Sequence, residues 1–373
     1  MRHIYIILVF FITYYSSSQE KFSEKKIKST KEKLFFVNDT IQNTNFLYHD
    51  DYGHGGFSGP KGTLYRFVNY WENEVNVNYL NNKKDFNLKG LLTKEVWFNK
   101  KDSLIAYYEY EYTNFDSLSK VKWSLHNDEY FNFINFNYNN KNRVESILKN
   151  SETDSEFMLQ YVKYDSVFNV IKIEHYEEFG YNYSTIYKFN KNDLNFEISE
   201  HHPYVFTLSE NGISYGSKED SIGVKYLIEK KYFNIKKQLI RHDFFTTPNY
   251  KTQNNLNRFF EYEYDKNDNL ILSKSAIVSS NYGYFKTKKY DKMNRLSYEK
   301  YINKYNDSLS LYYIKEYFYN NKNELLKLII FENNIKTVVK YDYLYDKFNN
   351  WIEKTKIVNG KKLFIWKRGI EYF

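Results

Sequence analysis

An aromatic residue followed at once by Asp or Asn recurs along this chain, each time with a turn-like stretch and an apolar residue close behind. The clearest copies are Tyr264-Asp265-Lys266-Asn267-Asp268-Asn269-Leu270, Tyr290-Asp291-Lys292-Met293-Asn294-Arg295-Leu296, Tyr319-Asn320-Asn321-Lys322-Asn323-Glu324-Leu325 and Tyr345-Asp346-Lys347-Phe348-Asn349-Asn350-Trp351. Aligned on the acidic or amide position, the pattern runs through Asn99, Asp116, Asn139, Asp165, Asn190, Asn234, Asp265, Asp291, Asn320 and Asp346. Most steps fall near 26 residues, and the step from Asn190 to Asn234 is 44, which marks an insertion or a degraded copy. A period of this length dictates a repeat architecture before any single residue is weighed.

The repeat unit reads as a β-hairpin. Asp or Asn at the first turn position bonds its own backbone two residues on. The position three later is often Asn or Asp, which tolerates the left-handed conformation a short hairpin loop demands. Glycine is the usual choice there, and this chain has only 13. The flanking runs alternate with period two, as half-buried strands do. Phe260, Tyr262 and Tyr264 share one face with Glu261 and Glu263 opposite, and Val339, Tyr341, Tyr343 and Tyr345 line up in the same way. With 41 Tyr and 31 Phe, side-chain preference favours strands, and few segments repeat apolar residues at helical spacing. A lone hairpin is barely stable in water, so neighbouring hairpins must stack edge to edge. The expected fold is all-β: tandem antiparallel hairpins forming an extended twisted sheet or β-solenoid. The segment up to about Gly90 and the last strand, Leu363 to Tyr372, are expected to cap its ends.

These corners resemble the YD repeats of the RHS family, whose core reads roughly Tyr-Asp-x-x-Gly-Arg-Leu. Tyr290-Asp291-Lys292-Met293-Asn294-Arg295-Leu296 matches it best, with Asn294 where the family has Gly. The resemblance covers roughly Trp97 to Phe373. It implies β-hairpin repeats, but not the family's encapsulating shell: the chain is short for one, and no toxin-like tail or self-cleaving aspartyl-protease segment follows the repeats.

Three parts are expected: a signal peptide over residues 1–18, a non-repeat segment over 19–90, and the repeat domain over 91–373 with an insertion at about 198–231. Arg2 and His3 precede the apolar run Ile4 to Tyr15, which ends in Ser16-Ser17-Ser18, small residues suited to cleavage. The run is short for a membrane helix, which needs about 20 residues. No other stretch could cross a bilayer as a helix. The chain has no cysteine, which excludes disulfides, thiolate metal sites, a thiol nucleophile and a lipidated anchor. The expected address is therefore exported: periplasmic, extracellular or at the cell surface. Counting back by two from Phe373 gives Glu371, Gly369 and Lys367, a row unsuited to lipid, which argues against an outer-membrane barrel. The formal charge of +8 is spread as interleaved Lys and Glu, the mark of a solvated face rather than a nucleic-acid surface.

Signals for chemistry are sparse. The glycine cluster Gly53 to Gly62 does not match a phosphate loop and reads as a turn or flexible loop. His49-Asp50-Asp51 with His54 is the most metal-like cluster, yet nothing supplies a further ligand. Glu200-His201-His202-Pro203 reads as a turn within the long inter-repeat step, and His126, His175 and His242 as isolated strand histidines. No Gly-x-Ser-x-Gly elbow occurs. One Asp per hairpin gives too few oxygens for Ca²⁺. No catalytic, cofactor or metal residue is therefore assigned, and Asp116, Asn139, Asp165, Asn190, Asn234, Asp265, Asp291, Asn320 and Asp346 are assigned as structural turn residues. The functional expectation is a non-enzymatic, exported binding or scaffold protein of the bacterial cell envelope. Its partner would be protein or polysaccharide, not nucleic acid. The alternatives are an RHS-type secretion or toxin accessory, or a carbohydrate-binding protein.

Overall fold

A computed structural model describes residues 26–37, 52, 56–125, 130–152, 158–165, 170–177, 183–190, 194–202, 205–209, 212–216, 224–245 and 255–373. The expected signal peptide, the cluster of His49, Asp50, Asp51 and His54, and His126 lie outside these residues.

The described chain is mostly strand, with one helix. It opens with β1 (Ile27–Phe36), followed by a helix, α1 (Gly59–Asn73). Then come β2 (Asn81–Phe86), β3 (Leu92–Phe98), β4 (Leu104–Tyr112), β5 (Leu118–Leu125), β6 (Asn132–Tyr138), β7 (Val144–Ser151), β8 (Met158–Tyr164), β9 (Val170–Glu177), β10 (Tyr183–Asn190) and β11 (Asn195–His202). The short pair β12 (Val205–Ser209) and β13 (Gly212–Gly216) precedes β14 (Val224–Phe233), β15 (Leu239–Phe245), β16 (Leu256–Tyr264), β17 (Leu270–Ile277), β18 (Tyr282–Tyr290) and β19 (Leu296–Tyr305). The chain ends with β20 (Ser308–Tyr319), β21 (Leu325–Glu332), β22 (Ile335–Tyr345), β23 (Trp351–Val358) and β24 (Lys361–Tyr372).

Twenty-two of these strands form one antiparallel sheet in which sequence neighbours pair, β11 passing directly to β14. The sheet has no free edge, because β1 pairs with β24 on one side and β2 on the other. The result is a closed 22-stranded barrel, which corrects the expected open sheet or solenoid. The two segments expected to cap opposite ends instead meet each other through β1. Closure removes the two rows of unpaired backbone groups that an open sheet would expose. The step of 44 residues holds β11, the β12–β13 hairpin, which stands outside the ring, and β14, so the expected insertion at about 198–231 includes the second half of β11 and most of β14.

The described corners share one construction. At Asp265 the carboxylate Oδ1 accepts from the backbone N–H of Asn267 and Asn269, at 2.8 and 2.9 Å. Its own N–H donates to Asn269 O, and Asp268 N–H donates back to Asp265 O. Asp268 takes φ 66°, the left-handed conformation. Asn99, Asn139, Asn234, Asp291, Asn320 and Asp346 repeat these bonds, with Asp102, Asn142, Lys237, Asn294, Asn323 and Asn349 at positive φ. One residue corrects the sequence register. Asp116 stands not at the first turn position but at the left-handed one, φ 60°, and Thr113 Oγ1 accepts from Phe115 and Ser117 in its place. A further corner went unrecognised at Phe86-Asn87-Leu88-Lys89-Gly90, with Gly90 at φ 82°. Asp165 follows the last residue of β8, but its turn lies outside the described residues, and so does the turn after Asn190 apart from Leu194.

The aromatic partner has its own task. The hydroxyls of Tyr112, Tyr138, Tyr164, Tyr264, Tyr290 and Tyr319 donate to the backbone carbonyls of Leu92, Leu118, Val144, Leu239, Leu270 and Leu296. Each acceptor is the first strand residue after the preceding corner. The aromatic–Asp pair thus caps its own turn through the carboxylate and ties itself to its neighbour through the phenol. The opposite ends of several hairpins turn on two residues, Asn333-Asn334 and Asn359-Gly360, both at positive φ, the geometry that matches strand twist.

Among the described residues Lys237 is the one corner lysine in the left-handed region, at φ 63°. An L side chain there costs roughly 1–2 kcal/mol, partly offset in glycine by its looser unfolded chain. Lys237→Gly is expected to stabilise the fold by about 1 kcal/mol, seen as a higher urea midpoint at unchanged slope. An unchanged or lower midpoint would show that this corner is not strained.

Candidate functional site

Paired residues share a face of the sheet and faces alternate along each strand, so the register assigns every strand residue to one of two walls. The wall containing Trp366 carries α1. Thr63, Phe67 and Trp71, four apart, form the buried stripe of the helix. The Phe67 ring meets Trp366 at 4.7 Å, and Trp71 meets Trp366 at 5.5 Å and Tyr341 at 6.1 Å. One hydrophobic core draws residues from β20 through β24, β1, β3 and β4 around this helix, which makes the wall concave. The sequence reading placed a loop at Gly53 to Gly62, yet its last four residues are the first turn of α1. Pro60 suits that turn, where a missing N–H is harmless. The spacing of Thr63, Phe67 and Trp71 was the signal available.

The carboxyl end of α1 is anchored by one buried cation. Lys356 is fully buried, and its Nζ donates to the carbonyls of Tyr70 and Trp71 at 3.0 and 2.9 Å and to that of Glu74. A positive charge there opposes the negative end of the helix dipole. Burial pulls the Lys356 pKa well below the usual lysine value, while Glu74 and Glu72 act to raise it. Tyr341 Oη donates to Trp71 O at 2.7 Å, Tyr317 bonds Asn73 at 3.0 Å, and Lys315 pairs with Glu74 at 2.9 Å.

Beside this anchor lies a cavity of about 480 Å³, between the end of α1 and β19 to β23. Its rings are Trp71, Tyr317, Tyr319, Tyr341 and Tyr343. Its charged residues are Glu72, Glu324 and Lys354. Glu324 is committed to Asn320 and to the Tyr345 hydroxyl. Lys354 Nζ lies over the rings of Trp351 and Trp366, at 4.2 and 4.7 Å. Glu72 is reached by water although protein encloses it, and among the described residues it makes no hydrogen bond or ion pair. That enclosure raises its carboxyl above the usual range, against the opposing influence of Lys354 and Lys356.

Further round the concave wall an aromatic belt crosses the strands. Phe260 on β16 meets Tyr284 on β18 at 6.5 Å, passing over the small Ser275 of β17. Tyr284 meets Tyr301 at 5.1 Å, and Tyr301 meets Tyr313 at 5.3 Å. Cations interleave with the rings: Arg258 over Phe260 at 4.4 Å, Lys286 over Tyr301 at 5.3 Å and Lys315 over Tyr313 at 4.3 Å. At one end of the belt His242 Nε2 meets Glu229 at 2.9 Å. His175 lies on the same wall among Gln160, Thr185 and the stacked ring of Tyr183, and burial lowers its pKa to about 4, so it is neutral near pH 7. His201 pairs across to β14 in the ladder. His175 and His242 each have partners of their own, and no group of three or more metal-ligating side chains occurs among the described residues.

The opposite wall carries ion pairs at mid-strand between apolar residues such as Phe259, Phe285, Ile302, Ile314 and Ile365. Glu261 lies within reach of both Lys274 and Arg241, at 2.7 and 3.3 Å. Lys163 pairs with Glu174 at 2.8 Å, Lys230 with Glu197 at 3.1 Å, and Lys367 with Glu353 at 3.4 Å. No helix among the described residues is long and apolar enough to cross a membrane.

No family model and no curated protein matches the chain. Among solved structures the chain is similar to a porin-like protein from Bacteroides uniformis ATCC 8492, at 8% identity and a TM-score of 0.23, over 92% of this chain and 98% of that one. It is also similar to a porin-like protein from Bacteroides vulgatus ATCC 8482, at 10% identity and a TM-score of 0.21, over 78% of this chain and 97% of that one. Superposition at this level carries no inference about the activity or lineage of this chain, which rest on its own residues.

Proposed function

We propose that this chain is an exported, water-soluble binding protein of the bacterial cell envelope that takes its ligand on the concave aromatic wall of a closed barrel. The observation that carries the reading is the aromatic belt on the concave wall, together with the ion pairs that interrupt the apolar residues of the opposite wall at mid-strand. A membrane barrel turns apolar residues outward and polar ones inward. Here the outward wall carries the ion pairs of Glu261, Lys274, Glu174, Lys163, Glu353 and Lys367 between apolar residues such as Phe259, Phe285 and Ile365, while Trp366, Tyr341, Tyr301 and Phe260 face inward beside Arg258, Lys286 and Lys315. Export is supported by the N-terminal charged-then-apolar segment ending at Ser18. The belt offers ring faces for stacking sugars, with Arg258 and Lys286 beside them to meet acidic groups, so an acidic envelope polysaccharide suits it. Expression with the native N-terminus is expected to yield protein that is soluble and monodisperse without detergent and that retains uronic-acid polymers on a glycan array. A requirement for detergent would overturn the soluble-barrel reading, and silence across the array would remove the polysaccharide.

A second reading, an accessory of an RHS-type secretion or toxin system, draws on the corner chemistry shared by Asp265, Asp291 and Asp346. Recovery of a toxin or secretion component with the protein from culture medium would favour it.

A further inference from the structure

The outward wall is not uniform around the ring. Over several strands its lysines are paired: Lys163 with Glu174, Lys230 with Glu197, Lys274 with Glu261 and Lys367 with Glu353. Across β18 to β22 that pairing stops. The ladder sets Phe285, Ile302 and Leu311 side by side on this wall, then Ile314 beside Phe331 and Ile329 beside Val338. Between them stand Lys289, Lys300, Lys304, Lys327, Lys336 and Lys340. Among the described residues no carboxylate lies within ion-pair distance of any of the six. The register places two carboxylates on this stretch of strands, Glu316 and Asp342, so six positive charges face two negative ones. The lysines lie on rings instead: Lys327 over Phe318 at 3.9 Å, Lys289 over Tyr298 at 5.2 Å and Lys336 over Phe331 at 5.5 Å. Their stems cover apolar surface while the ammonium groups stay available. Toward the turn after β19, Leu309 and Leu311 are 63% and 54% exposed.

We infer that this face of β18 to β22 is a docking surface for an anionic lipid bilayer, on which the protein rests without crossing it. The two halves of its chemistry select that occupant. A polyanion dissolved in water would answer the lysines and leave Leu309 and Leu311 wet. An apolar protein surface would cover the leucines and bury ammonium groups without partners, which is costly. An anionic headgroup layer satisfies both, because its phosphates meet the lysines while the acyl boundary beneath takes the apolar side chains. Five strands at about 4.8 Å spacing make a face roughly 20 Å across. The paired lysines on its two flanks, Lys274 on β17 and Lys367 on β24, mark where the contact ends. The aromatic belt occupies the other side of the same sheet, so lipid docking leaves the polysaccharide site open.

The test is co-sedimentation of the purified chain with vesicles of phosphatidylcholine alone and of phosphatidylcholine with phosphatidylglycerol at about 7:3. Binding to the anionic vesicles is expected to be at least about ten-fold tighter, and salt at about 0.5 M should release the protein. The combined change Lys300→Gln, Lys304→Gln and Lys336→Gln is expected to weaken binding at least about ten-fold with an unchanged circular dichroism spectrum. Leu309→Ser with Leu311→Ser should weaken it by a similar factor. Lys163→Gln, Lys230→Gln and Lys367→Gln together remove the same charge from paired positions elsewhere on the wall and should leave binding within about two-fold of the parent. No sedimentation, equal sedimentation with both vesicles, equal losses in the two lysine triples, or undiminished binding by the leucine pair would each overturn the surface. A dimer that excludes vesicles would assign the face to a second copy instead. Protein that salt cannot release and that needs detergent would overturn both this docking mode and the soluble-barrel reading. Salt-released anionic binding with a silent glycan array would leave this surface standing and reject only the polysaccharide.

Discussion

Removal of Ile27–Phe36 is expected to open the barrel and turn the protein into a self-associating sheet. β1 is the only strand whose loss leaves two ring edges, those of β24 and β2, unpaired at once without breaking a hairpin. Unpaired edges recruit other strands. Light scattering of the shortened chain should show oligomers, and a synthetic peptide of residues 27–36 added in trans should restore the single species by strand addition. Unchanged hydrodynamic size in the absence of the peptide would show that the ring does not depend on this strand. The seam has a side-chain latch on the concave wall. Glu32 accepts from Trp366 Nε1 at 3.0 Å and from Arg368 Nε at 2.9 Å. Glu32→Ala would leave a buried indole N–H without its acceptor and remove one carboxylate from Arg368, and should cost about 1–3 kcal/mol.

Lys356→Met should undock α1. The substitution preserves the length of the side chain but leaves the carbonyls of Tyr70, Trp71 and Glu74 buried without their shared donor. A loss of about 1–3 kcal/mol is expected, the cost of buried carbonyls that lose a charged donor, since Trp71 O and Tyr70 O keep the Tyr341 hydroxyl and the Glu74 N–H. Lys356→Arg should not rescue it, because a planar fork cannot occupy a fully enclosed site shaped for an ammonium. Hydrogen exchange provides the local measurement: protection should fall over residues 59–76 before it falls in β6 to β11. Uniform loss of protection, or none, would show that the helix is not held by this lysine.

The corners were legible in the sequence because their chemistry is local. Asp265, Asp291 and Asp346 each satisfy backbone groups within four residues, so the residue type and the turn are written side by side. Asp116 was misplaced because Thr113 performs the same capping with a hydroxyl, leaving Phe115-Asp116 as a more conspicuous but shifted pair. Closure was not legible, since β1 carries no aromatic–Asp signal and its partner in the ring is the far end of the chain. The outward charges were visible as interleaved Lys and Glu, but the wall they occupy depends on closure. The cavity was invisible for the same reason. Trp71 and Glu72 reach Tyr341 and Lys354 only through an antiparallel ring that brings residues some 270 positions apart into contact.

The latch between Glu32 and Arg368 spans 336 residues of chain, whereas almost every other strand pairing joins neighbours in sequence. Hairpins can zip one after another at little entropic expense, but the final joint must wait until two distant segments find each other. Assembly of this molecule should therefore show a fast gain of strand signal followed by a separate slow phase. During that interval the nascent ribbon is most vulnerable to capture by a second ribbon.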